Sequence, residues 1–423
     1  MVEQITLDNG VRILTEPKNA LRSAARSGVR SAALGFFVGA GSRHETAAEN
    51  GAAHFIEHMV FKGTQRRSAA DIAQEMDAIG GQINAFTTKE NTCFYVRALD
   101  THLAQAADVL CDMFFRSAFR QEDVETECGV ILEEIGMYAD NPEDLCSERL
   151  AAAVYKGSPL ARPILGRPAT LAKMTGDTLR AWRDTHYRPD ETVVALAGSF
   201  SDAVVDDLKA RFSAMAPKSR PRTKAAAYRG AVTLKKKAIE QNHLTLAFPG
   251  LPYGDDRRFA LQLLSFILGG GMSSRLWQEV RETRGLCYSI YSYGAGHEET
   301  GLFGIYTALG RETEREALEA ILSVVRALVQ DGITDEELSR AREQSKASVL
   351  MGLESTQSRM SHLGRSTLLT GTVMSPDAII AAYDAVTRED VLTLARTLFD
   401  PRQASLSAVG RVQNEAYYRE FLV

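Results

Sequence analysis

The chain has 423 residues, 45% hydrophobic and 24% charged, the balance of a folded protein long enough for two domains. A net charge of −5 excludes the strongly basic surface that phosphate recognition requires, so no nucleic-acid partner is expected. No apolar run approaches a membrane span, and five dispersed cysteines without a CxxC pair exclude a disulfide frame or a thiolate zinc site. With no basic-then-apolar leader at Met1-Val-Glu-Gln-Ile, the expected location is cytoplasmic, without a membrane partner.

In chain order, residues 5–14 and 32–38 read as strands, with a small basic loop at 22–30 between them. Residues 49–62 carry a helical pattern stopped by Gly63. Ser68-Ala-Ala-Asp71 resembles a capping box, and it opens a helix that ends at Gly80-Gly81. Residues 82–87 and 91–97 then read as two strands joined by Thr88-Lys89-Glu90. A helix over 122–138 is stopped by Asn141-Pro142. Residues 216–230 are basic, hold two prolines and lack apolar periodicity, which marks a boundary. Beyond it, 232–239, 244–248 and a helical 257–268 repeat the opening order of strand, strand, helix. The expectation is an α+β fold of two tandem similar domains, 1–217 and 231–423, with a linker at 218–230.

The chemistry concentrates in His54-Phe-Ile-Glu-His58. On a helix, positions i, i+3 and i+4 share a face, so His54, Glu57 and His58 project together. Two neutral imidazoles make half of a zinc site, and a carboxylate one turn away can act as a base on water activated by the metal. Phe55, Ile56 and Met59 supply a core face, so neither histidine is needed for packing. This is the inverted order of the His-Glu-x-x-His zinc-peptidase motif. A third ligand must come from elsewhere. In 122–138, Glu127 and Glu134 lie nearly two turns apart on one face, while Glu133 points about 100° away from Glu134. Periodicity alone does not choose among them. The remaining histidines have no metal-like partner at short spacing. The Gly269–Gly271 run lacks the Gly-Lys-Ser/Thr of a phosphate loop.

His-x-x-Glu-His, followed 76 positions after His58 by the second glutamate of Ile-Leu-Glu-Glu-Ile, resembles the pitrilysin, insulin-degrading and processing-peptidase family. Gly80-Gly-Gln-Ile-Asn-Ala-Phe-Thr87, Val38-Gly-Ala-Gly-Ser-Arg43, His186-Tyr-Arg-Pro-Asp190, Leu196-Ala-Gly-Ser199 and Gly269-Gly-Gly-Met-Ser-Ser-Arg-Leu276 extend the resemblance through both halves. It implies that His54, His58 and Glu134 bind one zinc per chain, that Glu57 is the general base and that Glu127 assists the site. It also implies that Asn84, Ala85, Phe86 and Thr87 form a substrate-binding strand, and that each domain is a mainly antiparallel sheet packed with helices. The family's Arg/Tyr pair, seven positions apart, falls on Arg281 and Tyr288, with Arg284 a rival for the arginine. The implied activity is endopeptidase cleavage of short unfolded peptides inside a clam-shell homodimer, a heterodimer with a degenerate partner being the alternative. Other readings are a catalytically silent assembly subunit and a non-peptidase zinc hydrolase. The retained zinc ligands and base oppose the first. The match across both halves opposes the second.

Overall fold

The computed structural model describes residues 2–17, 30–217 and 223–422. The expected basic loop, apart from Arg30, and positions 218–222 of the expected linker lie outside them; 223–230 form neither helix nor strand. Strands of the first half are β1 Glu3–Thr6, β2 Arg12–Pro17, β3 Ser31–Val38, β4 Gln82–Thr87, β5 Thr92–Leu99 and β6 Thr192–Gly198. Its helices are α1 Ala52–Met59, α2 Ala69–Ala78, α3 Leu103–Arg116, α4 Gln121–Asp140, α5 Pro142–Val154, α6 Pro168–Leu171, α7 Gly176–His186 and α8 Asp202–Ser213. In the second half the strands are β7 Val232–Lys236, β8 Gln241–Gly250, β9 Cys287–Gly296, β10 Gly301–Gly310 and β11 Ser405–Gly410. The helices there are α9 Arg258–Gly269, α10 Glu314–Asp331, α11 Asp335–Gly352, α12 Thr356–Thr370, α13 Pro376–Ala385, α14 Arg388–Leu398 and α15 Glu415–Arg419. The fold is α+β. Among the described residues no helix is long and apolar enough to cross a membrane.

The two sheets share one topology. The first runs β1-β2-β6-β3-β5-β4 and the second β7-β11-β8-β10-β9. Each holds one parallel pair, β2 with β6 and β7 with β11, and is antiparallel from there to its far edge. Strand for strand, β4 and β9 are equivalent edges and β3 and β8 equivalent centres. β1 is an addition to the first sheet. It arises because residues 5–14 are not one strand: Asp8-Asn9-Gly10 turns the chain, Gly10 adopts φ +98°, and β1 pairs back on β2.

The compact units differ from the chain halves. Residues 136–161 pack with the second unit and 352–373 with the first. α5 lays Leu150, Val154 and Tyr155 against Ala247 and Leu302 of the second sheet, where Ser407 Oγ donates to the Cys146 carbonyl at 2.8 Å. α12 lays Met360 and Leu363 against Leu14, Ala33 and Phe37 of the first sheet. This cover explains why β3 is apolar along nearly its whole length: Leu34 and Phe36 serve one core and Ala33 and Phe37 the other. All five cysteines are free.

Candidate active site

α1 is shorter than the periodicity of 49–62 predicts. It begins after Gly51, whose φ of +104° suits glycine and whose Cβ, if present, would lie 2.9 Å from the Gly166 Cα. After Met59 the chain tightens into a 3-10 turn over Val60–Lys62. A glycine offers no side-chain cap, and Glu45 replaces it. Its carboxylate accepts the Gly51 and Ala53 backbone N–H groups and the Asn50 amide, each at 2.9 Å. A buried carboxyl group therefore sits at the positive end of this helix, and burial pushes it up to about 7 against the hydrogen bonds that it accepts. Ala53, Phe55, Ile56 and Met59 are fully buried in the core, which holds the helix and aims His54, Glu57 and His58 to one side.

α4 supplies the carboxylates. Val124 and Ile131 pack into the same core, and this stripe turns Glu127 and Glu134 toward α1. His54 Nε2 lies 3.6 Å and His58 Nε2 3.5 Å from Glu134 Oε2. One ligand atom from each of the three falls within 4.8 Å of the others. A tetrahedral zinc with ligands at about 2.0–2.1 Å sets neighbouring donors about 3.3 Å apart, so this donor set fits zinc with little movement. Burial pushes the His54 imidazole down to about 3, helped by neighbouring His58, and lowers His58 as well. Both therefore stand neutral, as ligands must. Glu133, one residue away, faces solvent.

Around this set stand further ionisable groups. Glu127 is buried, with Oε1 3.5 Å from His58 Nδ1 and Oε2 ion-paired to Lys62. Sequence reasoning missed Lys62; the available signal was its place four residues after His58. Burial pushes the Glu57 carboxyl up to about 7, against a hydrogen bond from Thr87 that lowers it. Glu57 Oε2 is buried with no hydrogen-bond partner among the described residues. Thr87 ends β4, the edge strand of the first sheet, so Asn84, Ala85, Phe86 and Thr87 line an edge beside α1.

Arg281 and Tyr288 belong to the second unit. A π-helical segment, Trp277–Thr283, carries Arg281, and Gly285 at φ +64° turns the chain into β9, where Tyr288 is 75% exposed. The Arg281 Cζ lies 5.3 Å from the Tyr288 ring centroid. Arg284 is engaged otherwise, donating to Glu279 at 2.7 and 2.9 Å. Among the described residues no carboxylate pairs with Arg281.

Comparison with known proteins places the chain in a family. Residues 22–167 match the family model for insulinase (peptidase family M16), and 173–345 match that for the peptidase M16 inactive domain. The chain is 43% identical to the uncharacterised zinc protease YmxG of Bacillus subtilis, covering 94% of this chain and 96% of that one. It is 42% identical to the uncharacterised zinc protease SCO5738 of Streptomyces coelicolor, covering 98% and 90%. In fold it resembles a peptidase M16 inactive domain from Pseudomonas fluorescens, with a TM-score of 0.88, 22% identity and coverage of 97% and 98%. A protease from Helicobacter pylori gives a TM-score of 0.86 at 19% identity, covering 97% and 99%.

Proposed function

The chain belongs to the insulinase-type M16 peptidase family, and on that premise we propose that it is a zinc-dependent endopeptidase cutting short unfolded peptides. One observation carries the reading: His54, His58 and Glu134 converge on a common point, with the unpartnered Oε2 of Glu57 beside them. These three residues would hold one zinc per chain, and the metal supplies Lewis-acid polarisation of water and of the scissile carbonyl. Glu57 takes the proton of the attacking water on Oε2 and delivers it to the leaving amine. Thr87 steadies its other oxygen. Glu127 fixes the ring of His58 through Nδ1, and Lys62 balances the buried Glu127 charge. The free edge of β4 pairs with an extended substrate backbone, which requires an unfolded chain. Tyr288 donates to the carbonyl oxygen as negative charge develops there, and Arg281 holds a substrate carbonyl. The assembly in this proposal is a homodimer, since one polypeptide carries both residue sets.

The match of 173–345 to an inactive domain leaves room for a second reading, a silent assembly subunit. One experiment separates the two: products from a mixed peptide library, read by mass spectrometry with and without chelator. The peptidase gives chelator-sensitive products that readdition of zinc restores. The silent subunit gives none.

A further inference from the structure

We propose that Trp277 is a positioning residue, an aromatic platform that holds Arg281 in place for substrate. This rests on the reading of Arg281 and Tyr288 as substrate-facing groups. The Arg281 Cζ lies 3.7 Å above the Trp277 ring centroid and 5.3 Å from that of Tyr288, so both rings flank the guanidinium. The indole is itself fixed, because Nε1–H donates to Glu282 Oε1 at 3.0 Å. The local carboxylates pair with other groups: Glu282 Oε1 accepts from the indole and Glu279 Oε1 from Arg284. A cation held on π-faces keeps its N–H groups in the guanidinium plane free to bind a carbonyl, which an ion pair would consume. The π-helical turn carrying both residues is a rare geometry that recurs at functional sites. A half-exposed arginine ordered in this way loses little rotamer freedom when substrate arrives.

The test uses the zinc-loaded full chain and an internally quenched peptide. Trp277→Leu should lower kcat/KM roughly 5- to 30-fold, the range of a partly desolvated cation–π contact, with zinc content unchanged. Trp277→Phe keeps a π-face and should stay within roughly threefold of wild type. Combining Trp277→Leu with Arg281→Gln should be no worse than Arg281→Gln alone, since the ring acts only through the guanidinium. Additive losses, or a fully active Trp277→Leu beside an impaired Arg281→Gln, overturn the platform while leaving the Arg/Tyr reading intact. A fully active Arg281→Gln overturns that reading and the platform with it.

A second measurement does not depend on activity or on the folding of Trp277 variants. The chain has two tryptophans, and Trp182 is buried. In a Trp182→Phe background, Arg281→Gln should bare the Trp277 face and raise its acrylamide quenching constant, because the covering cation is lost. Unchanged quenching overturns the stack.

Discussion

The two units place the same helix beside the same edge strand and use it differently. In the first, α1 lies by β4 and presents His54, Glu57 and His58. In the second, α9 lies by β9 and presents Arg258, Gln262 and Ser265 in the equivalent place. Inward, the two helices are alike: Phe55, Ile56 and Met59 fill one core, Leu263, Leu264 and Ile267 the other. The scaffold is thus specified by the apolar face, and the two units differ on the free face, which in the first carries two imidazoles and a carboxylate opposite Glu134. The second unit instead gathers aromatic rings and a guanidinium, at Trp277, Tyr288 and Arg281.

The sharpest way to break this contrast is Glu57→Gln. Turnover should fall roughly 10²- to 10⁴-fold with zinc retained, because an amide cannot accept the proton. Undiminished cleavage by protein free of wild type would move the chemistry out of the first unit. Tyr288→Phe asks whether the second unit touches the reaction at all. Loss of one donor to a developing oxyanion costs roughly 10²-fold in kcat with KM little altered, and an unchanged kcat would remove Tyr288 from the reaction.

Lys62→Met tests the support of the metal centre. Without its cation, buried Glu127 no longer orients His58, and zinc affinity, measured by competition with a chromophoric chelator, should weaken roughly 10-fold. Chelation of the wild type should raise hydrogen exchange in α1 and the Glu127–Glu134 stretch of α4, and leave α9 protected. Equal deprotection of α9 would mean that the metal organises both units alike. The smallest effect concerns packing. A Cβ at Gly364 of α12 would overlap the Phe37 ring, so Gly364→Ala should cost about 1–3 kcal/mol and lower Tm by a few degrees in calorimetry. Its added exchange should appear in β3 and β6, not in β8 and β10.

What the sequence made legible was local. The His-x-x-Glu-His triplet declares itself because three polar residues share one turn of an otherwise apolar helix. The Ser68 cap is as plain, and the structure shows Ser68 and Asp71 bonding each other as a capping box. The repeat was visible only as strand, strand, helix, whereas the identical strand order shows it in full. Periodicity left Glu127, Glu133 and Glu134 open, since seven residues return to the same face; the burial of Val124 and Ile131 is what rotates α4. Residues 5–14 mislead because apolar residues flank an Asn-Gly turn on both sides, so the turn reads as part of one strand. Lys62 and Trp277 were overlooked for a different reason. Each acts through a partner, at Glu127 or Arg281, and nothing in their own spacing names that partner.

The exchange of α5 and α12 has a consequence for synthesis. The first sheet has all its strands once β6 is complete, yet its back stays bare until α12 emerges. Between residue 198, where β6 ends, and residue 370, where α12 ends, lie about 172 positions, roughly 9–34 s of translation at 5–20 residues per second. Through that interval Leu14, Ala33 and Phe37 form an open apolar surface on a nascent chain, a natural station for a chaperone. Cut at the linker, each fragment would carry the other's missing wall. Mixed together they should complement, and apart each should aggregate.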